Sequence, residues 1–278
     1  MTRYAGIIGH PVAHSLSPVF QRAAFEHSGL DATYELWDTP PSGIAARMNA
    51  LRDPACLGAN VTVPHKQAVV PYLDELGEMS AQIGAVNTIV NREGRLLGFN
   101  TDGPGLVQAL RREAHLEPAG ESFLVLGAGG AARGIVFALV EAGAAAIAIH
   151  NRTVARAEQL AAAAGAGVRV APDLCLDGYA VVINTTSVGM HGTGTGDVSA
   201  CDFGSAPAGL LAVDIIYAPE RTAFLRQAEA RGLRTLGGLP MLIYQGALAF
   251  THWTGVPAPV EVMFDAARAE FARRQRGA

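Results

Sequence analysis

Residues 122–143, SFLVLGAGGAARGIVFALVEAG, restrict this chain more than any other stretch. A short apolar run stops at a glycine cluster, and an Ala/Val/Leu-rich helical run follows. Strand, tight turn and returning helix form the repeating unit of a parallel sheet, because parallel neighbours need a crossover between them. The continuation fits. AAIAIHNRT reads as a strand, ARAEQLAAAAG as a helix, and AVVINTTSVGM and LLAVDIIY as further strands. The chain ahead of it alternates in the same way. YAGIIG (4–9), ATYELWD (32–38) and GANVTVP are strands. SPVFQRAAFEHSG is a helix that Ser17 can cap, with Pro18 in its first turn and Gly29 ending it. GIAARMNALRD (43–53) is a second helix, and AVNTIVNREGRLLGFN is a hairpin turning at Glu93-Gly94. The expected class is α/β with two domains. Residues 103–238 form a dinucleotide-binding unit, and residues 1–102 form a substrate unit completed by two helices in 239–278.

Composition narrows the partners. Half of the 278 residues are hydrophobic (50%), 17% are charged, and the formal charge is −4. A large core is possible, and no basic block points to nucleic acid or an anionic membrane surface. No apolar run is long enough to span a bilayer, and the N-terminus does not read as a signal peptide. The three cysteines, Cys56, Cys175 and Cys201, are far apart and suit reduced thiols. A soluble cytoplasmic protein is expected, as a monomer or homodimer.

The glycine turn carries the first chemistry. Gly127, Ala128, Gly129, Gly130 and Ala131, with Ala132 after them, have the G-x-G-x-x-A form that lets a pyrophosphate approach the backbone at a helix N-terminus. The residues after the next strand decide between cofactors. An NAD site usually offers an acid to the ribose 2′-hydroxyl. Here stand Asn151, Arg152 and Thr153, with Arg156 close behind, and no acid. Two guanidiniums and a hydroxyl suit a 2′-phosphate, so NADP is expected.

In NVTVPHK, alternation puts Val61 and Val63 on one face, the core side, and Asn60 and Thr62 on the other. Pro64 should end the ladder, leaving Lys66 at the carboxyl end of a strand, where open α/β sheets bind ligands. Ser15, Ser17, Asn87 and Asp102 each have an ordinary reading as caps or turn residues. Gln245 is an amide in an apolar helix and needs a partner. Taken together these residues offer uncharged hydrogen-bonding groups and one Lys/Asp pair, which suits a polyhydroxylated small molecule.

SLSP, NVTVPHK, GAVNT, NTDG, GAGGAA, NRT-x-x-R and GLPMLIYQ occur in that order over nearly the whole chain. The series resembles the NADP-dependent shikimate dehydrogenase family of aromatic amino-acid biosynthesis. The resemblance implies that Ser15, Ser17, Asn60, Thr62, Lys66, Asn87, Asp102 and Gln245 bind shikimate or 3-dehydroshikimate. It makes Lys66 the acid/base and Asp102 its partner. It also implies that Tyr217 of VDIIY closes over the substrate, and that Ile215 and Gly238 lie on the nicotinamide side. The implied fold is a discontinuous substrate domain and a Rossmann domain, with the active site in the cleft between them.

Three other readings compete. A quinate/shikimate dehydrogenase using NAD would be expected to carry an acid in place of Asn151-Arg152-Thr153. A non-catalytic dinucleotide-sensing module would not need Lys66 and Asp102 together. A metal enzyme would use His10 and His14, but Pro11 between them argues against a shared helix face, so no metal is expected.

Overall fold

The N-terminal strand β1 (Arg3–Gly9) forms the inner rail of a sheet. The computed structural model describes residues 2–190 and 192–276. After β1 come α1 (Ser17–His27), β2 (Ala32–Asp38), α2 (Ile44–Ala50), β3 (Cys56–Val61), β4 (Glu75–Leu76), α3 (Glu78–Ile83), β5 (Thr88–Arg92) and β6 (Arg95–Phe99). Next follow α4 (Asp102–Arg112), β7 (Ser122–Leu126), α5 (Gly130–Glu141), β8 (Ala146–His150), α6 (Val154–Ala164), β9 (Val168–Val170), β10 (Val181–Asn184), β11 (Leu211–Asp214), α7 (Ala223–Ala230) and β12 (Arg234–Leu236). The chain closes with α8 (Gly238–Thr254) and α9 (Val260–Arg276). Two units result, Met1–Thr101 with Ile243–Ala278, and Asp102–Leu242.

The first unit holds a mixed sheet in the order β2-β1-β3-β5-β6-β4. β1 pairs in parallel with β2 and β3, and β5 runs antiparallel to β3 and β6. The β5–β6 turn forms at Glu93 and Gly94, with φ of 54° and 85°. Two successive positive φ values are what a two-residue hairpin of matching twist requires. Ile8, Trp37, Ile44, Met48, Leu51, Val61 and Ile89 share one buried cluster. From the C-terminal helices, α9 packs on α1, and Trp253 of α8 donates its indole N–H to the Ile89 carbonyl at 2.9 Å.

The second unit holds an all-parallel sheet in the order β12-β11-β10-β7-β8-β9. Every residue of β10 and β11 is buried, as expected of parallel strands covered on both faces. The chain leaves β7 towards β8 on one side and returns at β10 on the other. The carboxyl ends of β7 and β10 are therefore the topological switch point, where such sheets open a ligand crevice.

Two sequence expectations need correction. Val63 does not join Val61 in the core: it lies past the end of β3 and is 70% exposed. Ser17 does not cap α1. The helix starts at Ser17, and the Ser15 hydroxyl oxygen accepts the Ser17 N–H at 3.2 Å. The cap-like oxygen lies two residues earlier, so the Ser17 hydroxyl is not consumed by the helix start.

Candidate active site

In the first unit, four elements bring polar side chains to one buried patch. Ser15 and Ser17 come from the entry to α1, Asn60 from β3, Asn87 from the residue before β5, and Gln245 from α8, and all five are buried. Their burial is tolerable because they bond one another and their neighbours. Asn60 donates from Nδ2 to the Asn87 carbonyl and to Thr88 Oγ1, both at 3.3 Å. Asn87 Oδ1 accepts the Thr101 N–H at 2.7 Å, the Thr101 hydroxyl at 3.1 Å and the Thr88 hydroxyl at 3.1 Å. Asn87 Nδ2 donates to Gln245 Oε1 at 3.4 Å, which supplies the partner that the helix amide needs.

Thr62 and Lys66 are half-buried and follow β3 rather than lying on it. The Thr62 N–H extends the ladder to the Ile8 carbonyl at 2.8 Å. The turn then closes through the His65 N–H on the Thr62 carbonyl at 2.9 Å, and the Lys66 carbonyl accepts the Val86 N–H at 2.8 Å. His65 is buried, with Nε2 2.6 Å from the Thr39 carbonyl. A carbonyl only accepts, so that nitrogen carries the proton. The backbone around Lys66 is thus tied on both sides.

In the second unit, the residue after β7 is Gly127, with φ of 113°. A methyl group there would lie 2.6 Å from Thr185 Oγ1, and that hydroxyl is already engaged, donating to the Leu126 carbonyl at 2.7 Å. Gly129 and Gly130 differ, since a methyl group on either meets nothing within 4 Å. They open α5, which has no acidic residue in its first turn and no side-chain cap. Backbone N–H groups that no side chain caps at the start of a 12-residue helix, with open space beside Gly129 and Gly130, fit a diphosphate. Asn151 donates to the Thr153 carbonyl at 2.8 Å and so shapes the bend after β8. Arg152, Thr153 and Arg156 are exposed, and the Thr153 hydroxyl is not used in capping α6. These groups fit a ribose 2′-phosphate.

Ile215 and Tyr217 are half-buried, and Gly238 is buried. Gly238 N–H donates to the Ile216 carbonyl at 3.2 Å, and a methyl group on Gly238 would lie 2.3 Å from the Ile215 carbonyl. Ile215 and Gly238 are therefore neighbours, held by backbone contact. Asp102 is buried at the first position of α4.

Sequence reasoning missed a polar network at the ends of β10 and β11. Asp214 is fully buried and accepts from Thr222 at 2.7 Å, from the Ile216 N–H at 3.0 Å and from Asn184 at 3.1 Å. Burial pushes its carboxyl upward, and the three donors pull it back. Asn184 in turn accepts from the Thr186 N–H and hydroxyl. The network holds both strand-end loops. Its one sequence signal is an acid at the end of an otherwise apolar strand, VDIIY. Tyr34 and Thr88, which support Asn60, were also missed. Among the described residues no group of three or more His, Cys, Asp or Glu could hold a metal ion. His10 pairs instead with Asp38 at 2.8 Å. Among the described residues no helix is long and apolar enough to cross a membrane.

A parallel sheet with a glycine turn at its switch point, joined in one chain to a mixed α/β unit with a polar patch, defines a nicotinamide-nucleotide oxidoreductase of small molecules. The comparisons specify which. Family models match residues 7–89 (shikimate dehydrogenase substrate binding domain), 110–219 (shikimate/quinate 5-dehydrogenase) and 238–268 (shikimate 5′-dehydrogenase C-terminal domain). A shikimate dehydrogenase (NADP(+)) from Geobacillus kaustophilus is 45% identical, covering 92% of this chain and 94% of that protein. A crystal structure of a shikimate dehydrogenase with NADP+ superposes with a TM-score of 0.91 at 37% identity, covering 97% of this chain and 96% of the other. The Thermus thermophilus enzyme, in complex with NADP(H) and shikimate, gives 0.85 at 41% identity, covering 96% and 99%. The chain belongs to the shikimate dehydrogenase family.

Proposed function

We propose that this protein catalyses the reversible NADPH-dependent reduction of 3-dehydroshikimate to shikimate, within chorismate and aromatic amino-acid biosynthesis. The observation that carries the reading is the buried, uncharged patch of Ser15, Ser17, Asn60, Asn87 and Gln245, with a lysine on a pinned turn beside Thr62. Such a patch suits hydroxyl groups, and the lysine suits a carbonyl oxygen that gains charge.

When bound, NADPH supplies a hydride to the C3 ketone. Lys66 stabilises the negative charge that grows on the C3 oxygen and donates a proton to it. In the reverse direction Lys66 accepts that proton from the shikimate hydroxyl. Asp102 is its partner, accepting from a neighbouring substrate hydroxyl. The hydroxyls of Ser15, Ser17 and Tyr217 meet the substrate carboxylate. Asn60, Thr62, Asn87 and Gln245 meet the ring hydroxyls. Gly127, Ala128, Gly129, Gly130 and Ala131 hold the pyrophosphate, while Asn151, Arg152, Thr153 and Arg156 hold the adenosine end. Ile215 and Gly238 border the nicotinamide. The substrate domain is residues 1–102 with 239–278, and the NADP domain is 103–238. The reading takes the enzyme as cytoplasmic and as a monomer or homodimer.

The test is reduced-nicotinamide absorbance with shikimate or quinate and NADP or NAD, in all four pairings. Turnover confined to shikimate with NADP supports the reading, whereas preference for NAD or quinate overturns it. Lys66→Ala then separates roles. A large loss of kcat with KM little changed supports proton transfer, and a rise in KM alone refutes it.

A further inference from the structure

Tyr34 lies in β2, away from every motif that carries the family resemblance, yet its side chain reaches under the substrate patch. It is fully buried, with its ring 6.0 Å from that of Trp253 at 47°. Its hydroxyl donates to Asn60 Oδ1 at 2.7 Å. The phenol thus supports a residue proposed for substrate from a different strand.

The Asn60 amide is almost used up inside the protein. Both Nδ2 hydrogens are committed, to the Asn87 carbonyl and to Thr88 Oγ1. One lone pair of Oδ1 is committed to Tyr34. What remains is a single acceptor lone pair. The amide is also held against rotation by 180°, because the reversed group would set its oxygen against the Asn87 carbonyl.

We propose that Tyr34 is a positioning residue for specificity: it locks the Asn60 amide so that this subsite presents only an acceptor, and therefore selects a ligand hydroxyl over a carbonyl or carboxylate oxygen. The inference rests on the proposed shikimate site and deepens it. Tyr34→Phe keeps the ring and removes the bond to Asn60. The amide then turns more freely.

The test is steady-state kinetics of Tyr34→Phe, Asn60→Ala and the double variant, with Trp253→Phe as control. Tyr34→Phe is expected to raise KM for shikimate about five- to tenfold, the span typical of a buried neutral hydrogen bond. Its kcat and KM for NADP should stay within about threefold on the same reasoning. In the Asn60→Ala background the same change should add little, because the residue it acts through is gone. Trp253→Phe loosens the same ring packing, and should lower Tm without moving KM for shikimate. The proposal is overturned if KM for shikimate in Tyr34→Phe is unchanged, if the two effects are additive, or if Trp253→Phe shifts KM equally. Wild-type turnover in the same assay separates the two failures. An inactive wild type refutes the shikimate reading, whereas an active wild type with an indifferent Tyr34→Phe refutes only the role of Tyr34.

Discussion

Two glycines two residues apart should fail in opposite ways when each is replaced by alanine. Gly127 has φ of 113°, a conformation that costs an L-residue about 1–3 kcal/mol. Its new methyl would also press on Thr185 Oγ1 at 2.6 Å. That hydroxyl cannot move away without giving up its bond to Leu126, worth about 0.5–1.5 kcal/mol. Gly127→Ala should therefore lose about 2–4 kcal/mol, or about 4–16 °C in Tm for a chain of this size. Gly129 has φ of −85° and ψ of −171°, which alanine adopts freely, and its methyl meets nothing within 4 Å. Gly129→Ala should leave the free protein unchanged or stabilise it by about 0.4–1 kcal/mol, since alanine loses less backbone entropy on folding. Its cost should appear only with NADP. A methyl intruding on a close backbone–phosphate approach costs about 1–3 kcal/mol, which raises KM for NADP about 5- to 150-fold. The assay is thermal unfolding without cofactor, beside KM for NADP at saturating shikimate. If Gly129→Ala destabilises as Gly127→Ala does, the turn is merely tight. If Gly129→Ala leaves KM for NADP within about twofold, no phosphate approaches that backbone, and the cofactor assignment of the turn is wrong.

Arg152→Ala combined with Arg156→Ala should raise KM for NADP about tenfold or more, because charge-assisted bonds to phosphate are lost, and should leave KM for NAD little changed. Equal loss with both cofactors would refute the 2′-phosphate assignment. Glu270 gives a prediction about pH. Bonds from Arg273, with Arg274 adding to them, hold its carboxyl down from 4.5 to about 2. A depressed folded pKa means that the stabilisation is complete above the unfolded value and disappears as pH falls through the folded one. Glu270→Gln should therefore lower Tm by about 1–3 °C at pH 7, a modest effect because both guanidiniums are solvated. The gap should close between pH 4.5 and about 2, and a gap that stays constant in Tm scans over that range would refute the ion-pair account.

What could be read from the sequence was what local rules decide. The hairpin at Glu93-Gly94 follows from turn chemistry, and the parallel sheet from strand–glycine–helix order, and both need only neighbours in the chain. The start of α1 shows the limit of such rules. Ser15 and Ser17 both have capping chemistry, and Ser15 takes the bond because the chain bends two residues before the helix begins. Val63 shows a second limit. Alternation places it beside Val61, and its carbonyl still accepts the His10 N–H at 3.2 Å, but among the described residues nothing covers the sheet at that point and the residue is 70% exposed.

The residues not foreseen are polar, buried and distant in sequence from what they support. Tyr34 supports Asn60, Thr101 supports Asn87, and Thr222 supports Asp214. Each sits where local rules give it a dull reading, in a strand, beside a helix start or at a cap. Only the fold shows that the bonds converge. A buried amide with its donors committed cannot reorient for whichever ligand arrives, and its remaining lone pair is a fixed demand on the ligand. The motif residues supply chemical groups to the patch. The unforeseen residues remove alternatives by fixing which end of each group is left to offer. A chain that kept every motif and lost Tyr34 would therefore still read as the same enzyme by sequence, but would bind its substrate with a less defined polarity at Asn60.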